Sequence, residues 1–331
     1  MINLLALSAS KLKIFDSCSW VYYSNYHLHI PQNQNDGARM GGCVHNILEL
    51  LIKPKHHKYV EKLVKAKTIV GSSIEKLVRH YAKKEELVLT QENLLKIDQM
   101  LLVALNTEFI LENAKFIEAE LKFDIKNEDP IYYIKGFMDK TWMRGDEVII
   151  DDYKSSKVKF KGSDSESNLQ SLVYSLAALK LWPGKKPRVR FIFLQHPKDP
   201  IMECTFSEDA LAGFEYYLEE VQKKVNNFTE KDAKKGLAYN KGMPKDGSFS
   251  GMLMCGRAKF PGELKKDGIN PQYFCPYKFP FEYYIVKKDG QFKYSTKKID
   301  VVLKEGETIE KAHYGGCPAF NTVKRSVIDD F

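Results

Sequence analysis

From Phe116 onward the chain alternates apolar and charged residues. Ile117, Ala119, Leu121, Phe123 and Ile125 interleave with Glu118, Glu120, Lys122 and Asp124. That two-residue period predicts a strand with one face in a core and the other in water. A turn at Asn127–Pro130 leads to a second strand over Ile131–Met143, and Arg144-Gly145-Asp146 turns the chain again. The third segment, Val148-Ile149-Ile150-Asp151-Asp152-Tyr153-Lys154, begins as an unbroken branched apolar run, as a buried strand does. Three strands joined by short turns predict a meander, with Asp139 and Asp152 on neighbouring strands. Side chains two apart share a face, so Asp152 and Lys154 point one way and Asp151 and Tyr153 the other.

On either side of the meander the period lengthens to that of helices. Ser8-Ala9-Ser10 can cap an amphipathic stretch over Lys11–Tyr26, in which Leu12, Phe15, Trp20 and Tyr23 suit a buried stripe. Pro31–Gly37 reads as a polar loop. Gly41-Gly42 reads as the opening of a helix that carries Val44, Ile47, Leu48 and Leu51 at i, i+3, i+4 and i+7. His45 and Glu49 form a separate polar pair on that helix. A solvated or core-satisfied histidine competes there with an imidazole at a metal site, oriented by a carboxylate. Further helices are expected over a basic segment at 53–68, over Ser72–Lys83 and over Thr90–Asn113. The lysines of the first suit a solvated face more than a binding groove.

Beyond the meander, Lys154–Gly162 is a basic loop, and a helix from about Asp164 to Leu181 is stopped by Trp182-Pro183-Gly184. Gln170 and Tyr174 fall on one face of it. Arg188–Leu194 predicts a strand, Ser207–Lys231 a helix, Phe281–Tyr294 a hairpin turned at Asp289-Gly290, and Tyr314–Phe320 a loop.

Composition narrows the classes. With 331 residues, 44% of them hydrophobic, the chain can build one large domain or two moderate ones. The net charge of +8 fits a polyanionic partner as well as an ordinary soluble surface. No apolar segment approaches the roughly 20 residues of a membrane helix, and the N-terminus lacks the basic start of a secretory signal. The expectation is a soluble cytoplasmic protein, in a host cytoplasm if virus-encoded, with no membrane partner. Six scattered cysteines then suggest free thiols or metal ligands before disulfides. A carboxylate beside a lysine can hold a hard divalent cation and steady a water or a phosphate.

Gly42-Cys43-Val44-His45, Gly136-Phe137-Met138-Asp139, Ile150-Asp151-Asp152-Tyr153-Lys154 and Gln170-Ser171-Leu172-Val173-Tyr174 occur in an order that resembles the RecB-like branch of the PD-(D/E)XK nuclease superfamily. The resemblance covers about residues 7 to 200. It implies an α/β fold with a restriction-endonuclease-like core, a mixed central sheet flanked by helices. An N-terminal helical region (1–115) would supply His45, the core would span 116–205, and an irregular extension with a cysteine–metal region would follow (206–331). It implies that His45, Asp139, Asp152 and the Tyr153 carbonyl ligate Mg²⁺ or Mn²⁺. Glu120 would be a further ligand or a scaffold residue, Lys154 would position the attacking water, and Gln170 and Tyr174 would complete the catalytic set.

Relatives that carry a 4Fe-4S cluster place one cysteine in the first helix and three near the C-terminus. Cys18, Cys255, Cys275 and Cys317 are the corresponding candidates here, although the compact late trio is absent, and zinc competes because tetrahedral thiolate suits both. Cys43 and Cys204 read as core residues. The implied activity is a stand-alone DNA exonuclease acting on single strands or duplex ends in recombination, repair or replication-linked end processing. With no Gly-xxxx-Gly-Lys-Ser/Thr loop, a helicase or recombination partner would be a separate protein. The alternatives are a nuclease like the CRISPR-adaptation enzymes and a non-cutting DNA-binding or assembly subunit.

Overall fold

The stretch expected to be one helix over Lys11–Tyr26 is two, α1 (Ala9–Ser17) and α2 (Ser19–Tyr26), because the backbone is extended at Cys18 (φ −157°, ψ 111°). The computed structural model describes residues 4–32, 35–111, 114, 116–160, 168–238 and 255–320. They pack as two compact units, Met1–Ser10 with Gln34–Asn226, and Lys11–Asn33 with Asn227–Phe331. This division is discontinuous in sequence, unlike the three consecutive regions expected. The aromatic residues of the first two helices explain it. Phe15 and Tyr22 meet Phe228 edge-on at 5.3 and 5.5 Å. The Trp20 indole N–H donates to the Tyr314 hydroxyl at 2.8 Å.

In the larger unit, α3 spans Asp36–Ile52 and is capped by the Asn35 side chain, so Gly41 and Gly42 lie inside the helix and do not open it. Their role is close approach. A Cβ at Gly41 would sit 2.6 Å from the Ser155 hydroxyl, and one at Gly42 would sit 2.8 Å from the Glu85 carboxylate. Helices α4 (His57–Ala66), α5 (Ser73–Lys84) and α6 (Gln91–Leu105) bury their apolar faces with α3 in one core. Of the expected Thr90–Asn113 helix, residues 112–113 lie outside the described residues.

The alternating stretch forms β1 (Ile117–Glu128), followed by β2 (Ile131–Arg144) and β3 (Glu147–Lys154), paired antiparallel in turn as a meander. Helix α7 (Leu169–Leu181) crosses over to β4 (Lys186–Phe193), which runs parallel to β3. A parallel neighbour requires such a crossover. The start expected for this helix at Asp164 lies outside the described residues. A short strand that no period announces, β5 (Ile201–Cys204), completes a five-stranded mixed sheet in sequential order, and α8 (Glu208–Asn226) follows. Glu215 and Gln222 tie α8 to β2 through the Tyr132 hydroxyl (2.6 Å) and the Tyr133 N–H (2.9 Å). Helices therefore flank a mixed central sheet, as expected.

In the smaller unit, the helix expected to continue to Lys231 restarts as α9 (Glu230–Lys235). β6 (Phe281–Lys288) and β7 (Gln291–Thr296) form the hairpin turned at Asp289-Gly290, both at positive φ. β8 (Glu307–Tyr314) pairs with β6, so part of the C-terminal stretch is strand. Among the described residues no helix is long and apolar enough to cross a membrane.

Beneath the central sheet lies a buried ionic network. Asp151 accepts from Arg190 Nε at 2.6 Å and from Trp142 Nε1 at 3.1 Å, and lies 3.3 Å from Lys140 Nζ. Arg190 also reaches Glu108, and Lys140 donates to the Glu108 carbonyl at 2.9 Å. Asp151 and Lys140 are fully buried and Arg190 nearly so. Burial pulls the Lys140 ammonium below its usual range despite Asp151. Removing one member of such a network strands the others in a low dielectric. Asp151→Ala is expected to cost about 3–5 kcal/mol, measured by urea denaturation, and Asp124→Ala on the exposed face well under 1 kcal/mol.

Candidate metal centre and active site

The site is built where β2 parts from β3. Pairing between them runs from Arg144–Glu147 only as far as Lys140–Asp151, while β3 continues to Lys154. The Tyr153 N–H, left without a strand partner on that side, donates to Asp139 Oδ2 at 2.8 Å. A backbone donor buried without a partner is costly, so this bond fixes the Asp139 carboxylate at the mouth of the gap. His45 comes in from α3 with Nδ1 3.3 Å from the same Asp139 oxygen. Its ring stands edge-on to Tyr153, centroids 6.2 Å apart. Glu49, the carboxylate expected to orient His45, instead pairs with Lys53 at 3.8 Å, because one helical turn carries it toward solvent. Asp139 orients the imidazole.

Glu120 arrives through a backbone irregularity. It lies inside β1 between the paired positions Ala119–Lys140 and Leu121–Met138, facing Asp139 in register. Its φ is 52°, in the left-handed region. Such a conformation costs a non-glycine residue on the order of 1 kcal/mol, and strain of this kind concentrates at functional sites. One ligand atom from each of His45, Glu120 and Asp139 lies within 4.8 Å of the other two. Burial and the nearby Asp139 charge raise the Glu120 pKa. Burial disfavours the His45 imidazolium, but the Asp139 hydrogen bond and the Asp139 and Asp152 charges outweigh it and lift its pKa to about 9. The trio thus gathers negative charge that a proton on His45 balances. Ligands about 2.1 Å from one ion sit about 3–4 Å apart, so a small contraction fits these three to a divalent cation.

Asp152 is 2% exposed, and burial raises its pKa although Lys154 opposes the shift. Its Oδ1 accepts from Gln170 Nε2 at 2.7 Å and from the Tyr174 hydroxyl at 3.2 Å. Its Oδ2 lies 2.6 Å from Lys154 Nζ, yet among the described residues it makes no properly angled hydrogen bond. Asp152 is not in the 4.8 Å trio, since these contacts draw it toward α7. Lys154 donates to Gln170 Oε1 at 2.5 Å, so one amide bridges the lysine and the aspartate, and Gln170 Nε2 also donates to the Tyr174 hydroxyl at 2.7 Å. Asn168, which sequence reasoning missed, holds this arrangement by capping α7 through Gln170 N (3.0 Å) and Ser171 N (3.2 Å). An asparagine two residues before Gln170 was the available signal. Asp151 and Tyr153 point to the opposite face, as the alternation predicts.

The four candidate cysteines all belong to the smaller unit and converge there. Cys18, at the break before α2, accepts from Ala238 N at 3.4 Å, and Cys275 N donates to Cys255 O at 3.1 Å. Burial, reinforced by Cys18, Cys255 and Cys317, pushes the Cys275 thiol up to about 12. Burial, with Cys18 and Cys255 adding to it, pushes Cys317 up to about 11. Cys43 and Cys204 are buried elsewhere. Thiolates on one zinc at about 2.3 Å would sit about 3.8 Å apart. Among the described residues no three of these sulfurs lie within 4.8 Å of one another.

No curated protein sequence matches the chain. Among solved structures it is similar to a protein of Eubacterium rectale that carries a provisional exonuclease name. The two share 13% identity over 75% of this chain and 92% of that one, with a TM-score of 0.43. It is also similar to the protein named SSO0001, at 14% identity over 62% and 86% of the two chains with a TM-score of 0.22. Neither likeness is close enough to bear on the chemistry. The model of the PD-(D/E)XK nuclease superfamily matches residues 6–242, which include the whole five-stranded sheet, the His45–Glu120–Asp139 trio that could hold a metal ion and the Asp152–Lys154 pair. The chain belongs to the PD-(D/E)XK nuclease superfamily.

Proposed function

We propose that this protein is a divalent-cation-dependent DNA exonuclease that processes ends in recombination, repair or replication. The observation that carries the reading is convergence. α3, β1 and β2 deliver His45, Glu120 and Asp139 to one point, beside an Asp152–Lys154 pair already wired to α7. A binding-only protein has no use for that combination. His45, Glu120, Asp139 and Asp152, with the Tyr153 carbonyl, would hold Mg²⁺ or Mn²⁺. Such an ion polarises a phosphate oxygen and makes a bound water more acidic.

The chain's own groups do the rest. Lys154 donates to Gln170 and pairs in charge with Asp152, and its ammonium has donor capacity left to hold the attacking water or a non-bridging phosphate oxygen. That positive charge offsets the negative charge developing as the water oxygen bonds to phosphorus and the ester oxygen leaves. Gln170 and Tyr174 keep Asp152 from rotating away. Asp139, fixed by the Tyr153 N–H, holds the imidazole in place.

We infer further that Cys18, Cys255, Cys275 and Cys317, whose thiols interact with one another, hold a 4Fe-4S cluster, with zinc as the competing occupant. In that respect the chain would resemble the CRISPR-adaptation nucleases more than cluster-free exonucleases.

Labelled single- and double-stranded DNA with Mn²⁺ tests the activity. Asp152→Ala and Lys154→Ala should each lower cutting by at least about a thousandfold while leaving DNA binding largely intact, and full activity in either variant would overturn the assignment. Mn²⁺ at a hundred times its Kd should stabilise the wild type by about 2.7 kcal/mol in thermal melts and leave Asp139→Ala unmoved. Protein purified without oxygen should be brown, absorb near ~400 nm and lose that band in Cys275→Ser. A colourless protein holding zinc would refute the cluster.

A further inference from the structure

Past the metal-binding trio, β1 and β2 continue as a long hairpin whose two faces differ sharply. One face, with Phe123, Tyr132, Ile134 and Met138, is buried. The other is open, and its residues form four register-paired rungs: Lys122 with Phe137, Asp124 with Lys135, Lys126 with Tyr133, and Glu128 with Ile131 at the turn. Phe137 is 54% exposed. It precedes Asp139 by two residues on β2, as Lys122 follows Glu120 by two on β1. A single exposed phenylalanine on a surface needs no explanation. A phenylalanine at the edge of a catalytic site, opposite one lysine and flanked along its own strand by another, does.

We propose that this open face is a track for a single nucleic-acid strand leading to the metal centre, with Phe137 stacking on a base next to the scissile phosphate. The proposal rests on the nuclease reading and adds where the substrate lies. Charge complementarity favours it. Lys122, Lys126 and Lys135 are exposed and make no ion pair among the described residues, against two carboxylates, Asp124 and, at the far turn, Glu128. Asp124, the carboxylate nearer the site, is already engaged by the Tyr133 hydroxyl at 3.2 Å. Lys126 lies over the Tyr133 ring, 5.1 Å from its centroid, so the third rung offers both a cation and an aromatic face. Alternate residues advance about 6.7 Å along a strand, a stride close to one nucleotide of an extended chain. Aromatic faces and cations interleaved at that stride are how proteins hold single strands without reading their sequence.

The test is binding of a short fluorescein-labelled oligothymidine, with Ca²⁺ replacing the catalytic cation. Phe137→Ala should weaken binding about tenfold or more. Phe137→Trp should retain it, and the added indole should be quenched by the oligonucleotide beyond the quenching seen in wild type. Lys122→Ala/Lys126→Ala/Lys135→Ala should lower the slope of log affinity against log salt by about 2. Wild-type affinity in Phe137→Ala together with an unchanged salt slope in the triple variant would overturn the track. Tighter binding of duplex than of single strand, with no quenching of the added indole, would overturn it too. If Phe137→Ala does not fold, the tryptophan and lysine variants decide alone. The nuclease reading fails separately, if the wild type cuts no DNA with Mg²⁺ or Mn²⁺, and quenching and salt slope report on the track even then.

Discussion

A single hydrogen bond, from the Tyr153 N–H to the Asp139 carboxylate at 2.8 Å, marks the place on which the rest of the site depends. β3 outlasts its partner by three residues, and buried backbone donors must find acceptors. The carboxylate that satisfies this donor is thereby pinned beside the acid of the next strand. His45 and Glu120 then come to a point whose position the sheet has already set. A separation of strands that would be a defect in a plain sheet becomes the point where these side chains gather.

The two faces of β3 divide the work. On one, Asp152 and Lys154 meet Gln170 and Tyr174 of α7 in a closed set of hydrogen bonds. On the other, Asp151 joins Lys140 and Arg190 in a network with no access to solvent. Replacing such a network by apolar residues often stabilises a protein, so its presence points to a need for alignment. Asp151 joins β2, β3 and β4 directly beneath the point where Asp139 and Asp152 must stay in register. The strained backbone at Glu120 belongs to the same economy, since regular packing on either side of β1 holds in place a conformation that the residue alone would not choose.

Much of this was legible in the residues. The alternation from Ile117 and the branched run before Asp151 located the meander, because a half-buried strand needs apolar residues at every second position. The same alternation put Asp152 and Lys154 on one face and Asp151 on the other. Helix α7 and the spacing of Gln170 and Tyr174 followed from the helical period. The misreadings share a cause. Gly41 and Gly42 looked like a helix opening because close approach to Ser155 and Glu85 is invisible in sequence. Glu49 looked like the orienting acid because its true rival, Asp139, is distant in the chain.

Local pattern therefore determined which segments are helices and strands, which face each acid takes, and which residue types could hold a cation. These depend on neighbours a few positions away, where periodicity and propensity act. Tertiary structure alone decided that Glu120 joins His45 and Asp139, that Asp151 is neutralised by Lys140 and Arg190, and that four cysteines scattered from Cys18 to Cys317 come together. Each of these rests on where separate strands and helices stop and meet. That is set by packing between elements, and no period within any one of them records it.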